Sequence, residues 1–183
     1  MTLRIKSAIT DCSLPTPFLV IDQERAAENY RNFSNNFKNA QVFYAVKANP
    51  HSDVLSRLAS EGASFDCASF NEILMVVQCG GEIEKISFGS TIKKSSDIAK
   101  AFELGVRHFA FDALEELDKI AKYAPDSNVM CRILVNDLGK GSEWPLSRKF
   151  GCDANYGYRV AGQGYNYRPQ SKRNIISRWL ATT

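Results

Sequence analysis

The chain has 183 residues, 44% of them apolar and 23% charged, with a formal net charge of +3. That length and composition suit one soluble globular core and exclude a chain that stays disordered. Basic and acidic residues interleave through the first 150 positions, so no basic face for nucleic acid or anionic lipid is expected, and small-molecule work is the reading that remains.

In chain order, the first β-branched and aromatic run is VFYAVKA from Val42. SFDCA from Ser64, KISFGS from Lys85, RHFAFD from Arg107 and VMCRILV from Val129 follow it, with starts about 22 residues apart. Between them, SDVLSRLASEG, SFNEILMVVQCGG, SSDIAKAFELG and LEELDKIAKYA carry apolar residues at helical spacing. Capping-type or acidic residues open these segments, and three close on glycine, at Gly62, Gly80 and Gly105, which is the start and stop pattern of a helix. Strand, helix and strand at a fixed period predict βαβ units, whose parallel strands need crossovers of this length. Units that follow one another without a break predict an α/β fold of the TIM type, an incomplete (β/α) barrel with about five of the eight strands. An open doubly wound sheet is the alternative, but neither GxGxxG nor GxxxxGKS/T follows the first strand.

Five cysteines, Cys12, Cys67, Cys79, Cys131 and Cys152, form no CxxC, and the two histidines, His51 and His108, are too few for a His-rich metal site. No metal is expected, and a reduced compartment suits the thiols. The opening MTLRIKSAIT lacks an apolar h-region before a small-residue cleavage site, and no run of 18 apolar residues occurs. Secretion and membrane spanning are therefore not expected, and a cytoplasmic location is.

Catalytic groups of (β/α) barrels sit at the carboxyl ends of the strands, and Lys47 ends the first run. Alternation along that run places Phe43, Ala45 and Lys47 on one face, where the small Ala45 leaves room for a flat ring beside the lysine. By the same count Asp66 ends the second run on the face of Ser64 and Ala68, Asp112 ends the fourth, and Arg132 lies in the fifth. An amine, carboxylates and a guanidinium are thus expected at one mouth, although spacing alone leaves open that these are ordinary surface charges at strand ends. Cys67 and Cys131 alternate away from Asp66 and Arg132 and read as small core residues. His51 reads as a loop residue before a helix, and Lys93 and Lys94 as an isolated pair at an exposed helix start.

Three stretches change the weight of these alternatives. YAVKANP, then FDCASFNEI, then SEWPLSRKFG after a strand with CRI, resemble the ornithine decarboxylase family, the pyridoxal phosphate enzymes that include ornithine, lysine, diaminopimelate and arginine decarboxylases. The likeness runs from about Pro17 to Asp153, and WPLSRKFG is closest to the bacterial-type ornithine and lysine decarboxylases. The resemblance implies an alanine racemase-like barrel joined to a β-domain, of which PFLVID is the part represented. It implies pyridoxal 5'-phosphate as cofactor, a basic amino acid as substrate, its decarboxylation in polyamine synthesis, and a homodimer for the full-length family member. It also implies that the Lys47 amine forms the Schiff base with the cofactor, that Ala45, Asp66 and Arg132 line the cofactor cavity, and that Glu72 stands just behind it. Desolvation at the mouth and the cationic Arg132 are expected to free the Lys47 amine of its proton. Taken without the resemblance, Asp66 reads as a helix cap and Glu72 as a first-turn carboxylate favoured by the helix dipole. SEWPLSRKFG is implied to be a barrel loop near the site.

After Asp153 the composition shifts: residues 154–183 hold five basic residues, no acid and four of the seven tyrosines. Family members continue from this point into a sixth strand with a histidine, a glycine-rich phosphate loop, a glutamate for the pyridine nitrogen and the β-domain, and none is legible here. Residues 1–153 are therefore expected to be the amino-terminal portion of the barrel, and 154–183 a basic, tyrosine-rich tail from a truncated or frame-disrupted product, inactive alone. Five strands predict two unpaired edges. A non-catalytic relative that regulates or pairs with intact subunits is the alternative, and a single-barrel pyridoxal phosphate carrier the third. The presence of Lys47 and WPLSRKFG favours the decarboxylase lineage.

Overall fold

The computed structural model describes residues 1–37, 39–134 and 150–156. Most of SEWPLSRKFG, and the tail beyond Tyr156, lie outside the described residues. Five short strands, β1 (Phe43–Ala45), β2 (Ser64–Cys67), β3 (Ile86–Phe88), β4 (His108–Phe111) and β5 (Asn128–Cys131), form one parallel sheet in sequence order. Registers run Ala45 opposite Asp66, Asp66 opposite Ser87, Phe88 opposite Phe109 and Phe111 opposite Cys131. Each crossover contains a helix: α3 (Ser52–Ser60), α4 (Phe70–Gln78), α5 (Ser95–Leu104) and α6 (Leu114–Tyr123). The βαβ reading from periodicity therefore holds, and the incomplete (β/α) barrel with its open edges at β1 and β5 is what the described residues form.

The helices begin and end for local reasons. Ser69 caps α4 by accepting from Glu72 N at 3.2 Å, while Glu72 Oε2 accepts from Ala68 N at 2.7 Å, a reciprocal closure of the turn that follows β2. His51 proves to be the cap of α3, its Nδ1 accepting from Asp53 N at 3.3 Å. Gly105 ends α5 at φ +114°, a conformation that costs a side chain energy and glycine little. Buried apolar residues three and four apart, such as Leu55 and Leu58 on α3 or Ile73 and Val76 on α4, face the sheet. They meet Phe65, Cys67, Ile86, Phe88, Phe109 and Phe111, which form one continuous core. Full burial of side chains of this size contributes roughly 1.5–3 kcal/mol each. Cys67 is the small core residue that alternation predicts, and burial pushes its thiol up.

Two helices were not expected, α1 (Leu3–Thr10) and α2 (Gln23–Asn36). Asp22 caps α2 through Arg25 N and also accepts from Thr2 Oγ1 and Arg4 Nε, which ties α1 to the start of α2. PFLVID forms no strand, and Leu19 within it is 84% exposed. No helix among the described residues is long and apolar enough to cross a membrane.

Lys93 requires a correction. It is not part of an exposed pair: its side chain is fully buried, and Nζ donates to Ser90 O at 2.8 Å and Ala110 O at 2.6 Å and pairs with Glu116 Oε1 at 2.8 Å. Only Lys94 is exposed. The reason is tertiary, because the carbonyl at Ala110 of β4 and the buried carboxylate on α6 create a socket that the local sequence around Lys93 does not reveal.

Candidate functional site

The sheet has two unlike faces. Residues that alternate with the core set, namely Ala45, Asp66, Ser87 and Ala110, lie on the face opposite the helices and are small or polar. Asp66 sits at the centre of this face near the strand ends. Its surroundings depend on Gly89, one residue past β3: a Cβ there would lie 1.9 Å from Asp66 Oδ1, so the carboxyl occupies the space that any other side chain would fill. Ser87 Oγ stands beside the same carboxyl and favours its charge. Neither Ser87 Oγ nor Asp66 Oδ1 makes a formed hydrogen bond among the described residues, although both are buried. Buried polar atoms are rarely left so, which makes this spot a candidate for a bound partner.

Burial raises the Asp66 carboxyl above its ordinary value, and the charges of Lys47 and Arg132 oppose that rise while Glu72 adds to it. The groups expected at one mouth are thus brought within electrostatic reach of one carboxylate. Lys47 arrives there by a route alternation does not give. β1 stops at Ala45, and Val46–Ala48 wind into a 3-10 turn in which Val46 is fully buried. The period-two relation of Phe43, Ala45 and Lys47 therefore ends at Ala45. Lys47 is exposed, so the desolvation expected for it is not supplied by the described residues. Ala45 is half-buried and pairs with Asp66, leaving little side-chain bulk between the two ends.

Arg132 follows β5 immediately, with its guanidinium carbon 5.1 Å from the centre of the Phe150 ring. Asp112, expected to face the mouth, instead accepts from Gly151 N at 2.9 Å and holds the 150–152 segment against the end of β4. Glu72 is half-buried, and its cap on Ala68 N orients the turn directly after Asp66 and Cys67. Cys131 packs against the core as alternation predicts, but it is only half-buried and meets Cys152, 3.6 Å from sulfur to sulfur. Sequence reasoning missed Ser87 and Gly89. The signal was present, since in KISFGS the polar and small residues alternate with Ile86 and Phe88 in the phase that faces away from the helices.

The Asp66 carboxyl yields a test with a definite sign. Its folded value lies above its ordinary 3.8, so in the window between the two the folded chain binds more protons than the unfolded one. Stability from this group is full below 3.8 and is lost as pH rises through the raised value. Asp66→Asn, which cannot ionise, should therefore stabilise the chain at pH 7 by on the order of 1 kcal/mol, with the gain shrinking toward pH 4. Urea unfolding at both values checks this, and a loss of stability of equal size at each pH would contradict it.

A lysine, an arginine and a carboxylate near the carboxyl ends of parallel strands occupy the positions where (β/α) barrels hold small ligands. Residues 23–165 match the family described as pyridoxal-dependent decarboxylase, pyridoxal binding domain, and the chain belongs to that family. It is 37% identical over 139 residues to the lysine/ornithine decarboxylase of Selenomonas ruminantium, covering 76% of this chain and 35% of the relative. Among solved structures, the arginine decarboxylase of Paramecium bursaria Chlorella virus bound to agmatine superposes with a TM-score of 0.77 at 28% identity, over 86% of this chain and 44% of that one. The complex of SrLDC with PLP and cadaverine gives 0.73 at 31% identity, over 87% and 39%. The fold is accordingly the alanine racemase-like barrel of these decarboxylases in part, and pyridoxal phosphate is the cofactor of the domain. The chain spans about a third of the length of the curated relatives it matches, as the 35% of the first shows. The residues present fit the cofactor: a buried carboxylate oxygen without a formed hydrogen bond lies over a glycine at the strand ends, and the charges of Lys47 and Arg132 act on that carboxyl.

Proposed function

We propose that this chain forms the cofactor-holding part of a pyridoxal phosphate-dependent decarboxylase of ornithine or lysine in polyamine biosynthesis, cytoplasmic and homodimeric in its full-length form. The observation that carries this reading is the match of residues 23–165 to the pyridoxal binding domain, with Lys47, Arg132 and Glu72 all acting electrostatically on the Asp66 carboxyl. Relatives acting on ornithine and lysine support the substrate class. The homodimer rests on the family resemblance.

Lys47 would carry the cofactor on Nζ, which solvent and an incoming amine can both reach. Ala45 would flank the ring, its methyl group leaving room that a longer side chain would close. Asp66 can hold or release a proton at Oδ1, because burial favours its neutral form and the two cations favour its charge. Arg132, steadied against Phe150, would supply positive charge for an anionic group. Glu72 would back the cavity while its Oε2 keeps the turn after β2 closed. When bound, pyridoxal phosphate supplies the electron sink that accepts the pair left on the α-carbon as carbon dioxide departs.

Two outcomes follow. Arg132→Ala should weaken pyridoxal phosphate binding by about tenfold, the value of one charge-assisted contact, as read by titration of the cofactor absorbance; an unchanged affinity would remove Arg132 from the cavity. The isolated 183-residue chain should release no labelled carbon dioxide from ornithine or lysine. Substituted for the matching segment of the Selenomonas relative, residues 23–134 should support release that disappears with Lys47→Ala. A folded chimera that binds cofactor and turns over neither amino acid would defeat the decarboxylase reading.

A further inference from the structure

Cys131 and Cys152 meet at the edge of the sheet through a built contact. Ile133 and Cys152 form a parallel bridge, in which Cys152 N donates to Arg132 O at 3.0 Å and Leu134 N donates to Cys152 O at 2.8 Å. Gly151 adopts φ +104°, and a Cβ on it would lie 2.7 Å from Leu134 N, so only glycine lets the segment come this close. Asp112 holds Gly151 N from the other side. The sulfurs are thereby kept 3.6 Å apart, near contact distance and a short movement from the roughly 2.05 Å of a bond. Both cysteines are half-buried, so a small oxidant reaches them, whereas Cys67 is buried.

We propose that Cys131 and Cys152 are a reversible dithiol–disulfide site that fastens the 150–152 segment to the β5 edge beside Arg132. The oxidant is a small disulfide such as glutathione disulfide. The Cys152 thiolate attacks one sulfur of it and displaces one glutathione thiolate. The Cys131 sulfur, its proton passed to solvent, then attacks Cys152 Sγ and displaces the second. Two protein thiols lose two electrons and two protons, and one glutathione disulfide becomes two thiols. Burial, followed by the neighbouring Cys152 sulfur, pushes the Cys131 thiol up to about 12, so Cys131 is not the thiol that attacks first. The link would close the 20 residues 132–151 into a ring and keep Phe150 over Arg132. It stands on the sulfur geometry alone and does not depend on the decarboxylase reading.

The test uses the full chain, treated with glutathione disulfide, blocked by alkylation and digested with trypsin without reduction. Cleavage after Lys122, Arg132, Lys149 and Arg159 separates residues 123–132 from 150–159, which then stay joined only through the two sulfurs. The expected result is that joined pair as the dominant disulfide species, released by dithiothreitol. It should be lost in Cys131→Ser and in Cys152→Ser and kept in Cys12→Ser and Cys79→Ser. Glutathione retained on either cysteine without a link, a dominant link to another cysteine or between chains, or no reaction would overturn the proposal. Should the serine variants fail to fold, digestion of the unmodified chain decides alone.

Discussion

Lys93→Ala should be among the most damaging single substitutions in the chain, lowering unfolding stability by about 3–5 kcal/mol. The side chain makes three contacts in a buried socket, to Ser90 O, Ala110 O and Glu116 Oε1, and Nζ lies 5.6 Å from the centre of the Phe88 ring. Its removal strands two carbonyls and leaves Glu116, itself only 4% exposed, with Lys119 at 2.5 Å as its remaining ion-pair partner. A buried charge that loses one of its two partners costs more than the lost pair contributes. Against a total stability of roughly 5–15 kcal/mol, such a loss is enough to unfold much of the population. Lys94→Ala, on the exposed neighbour, should stay within about 0.5 kcal/mol of the parent. Urea midpoints decide this, with Lys93→Met combined with Glu116→Leu expected to recover part of the loss. Equal midpoints for the two alanine variants would show that the socket does not bear on stability.

The second large effect is chemical. Lys47→Ala should abolish both the visible absorbance that pyridoxal phosphate acquires on the folded chain and its fixation by borohydride. Lys47→Arg should do the same, because a guanidinium does not give up its proton to become a nucleophile. Neither change should move the urea midpoint by more than about 0.5 kcal/mol, since Lys47 is exposed and no core contact is lost. Retained absorbance in Lys47→Ala would place the amine elsewhere. A collapsed midpoint would make Lys47 a structural residue of the turn.

The parallel sheet was readable because each of its five strands is an apolar run bounded by helical periodicity and glycine stops, all local signals. β2 and β4 lie where SFDCA and RHFAFD predict them, and α5 ends at the glycine chosen for its stop. What escaped was decided at a distance. α2, with the sequence QERAAENYRNFSNN, buries only Ala27 and offers little apolar periodicity, and α1 is held by Asp22 rather than by a core stripe. Lys93 looks solvated in IKKSSD until β4 and α6 arrive around it. At the site, the residue types and their strand-end positions were legible, yet the 3-10 turn that delivers Lys47 was not, since alternation is a property of strands and β1 ends two residues earlier. The niche for Asp66 needed the register of β2 with β3, which brings Ser87 opposite it and Gly89 beneath it.

The most direct measurement of the central claim, that Lys47 at the strand ends is the cofactor-bearing amine, is peptide mapping after pyridoxal phosphate is added to the folded chain and reduced with borohydride. Lys47 is as open to solvent as the surface lysines, so exposure alone would not single it out. The proposed cofactor cavity of Asp66, Arg132 and Ala45 is what should. The account predicts label concentrated on Lys47 and little on Lys94, Lys100 or Lys172; label spread evenly over these lysines, with Lys47 no more modified than the rest, would contradict it.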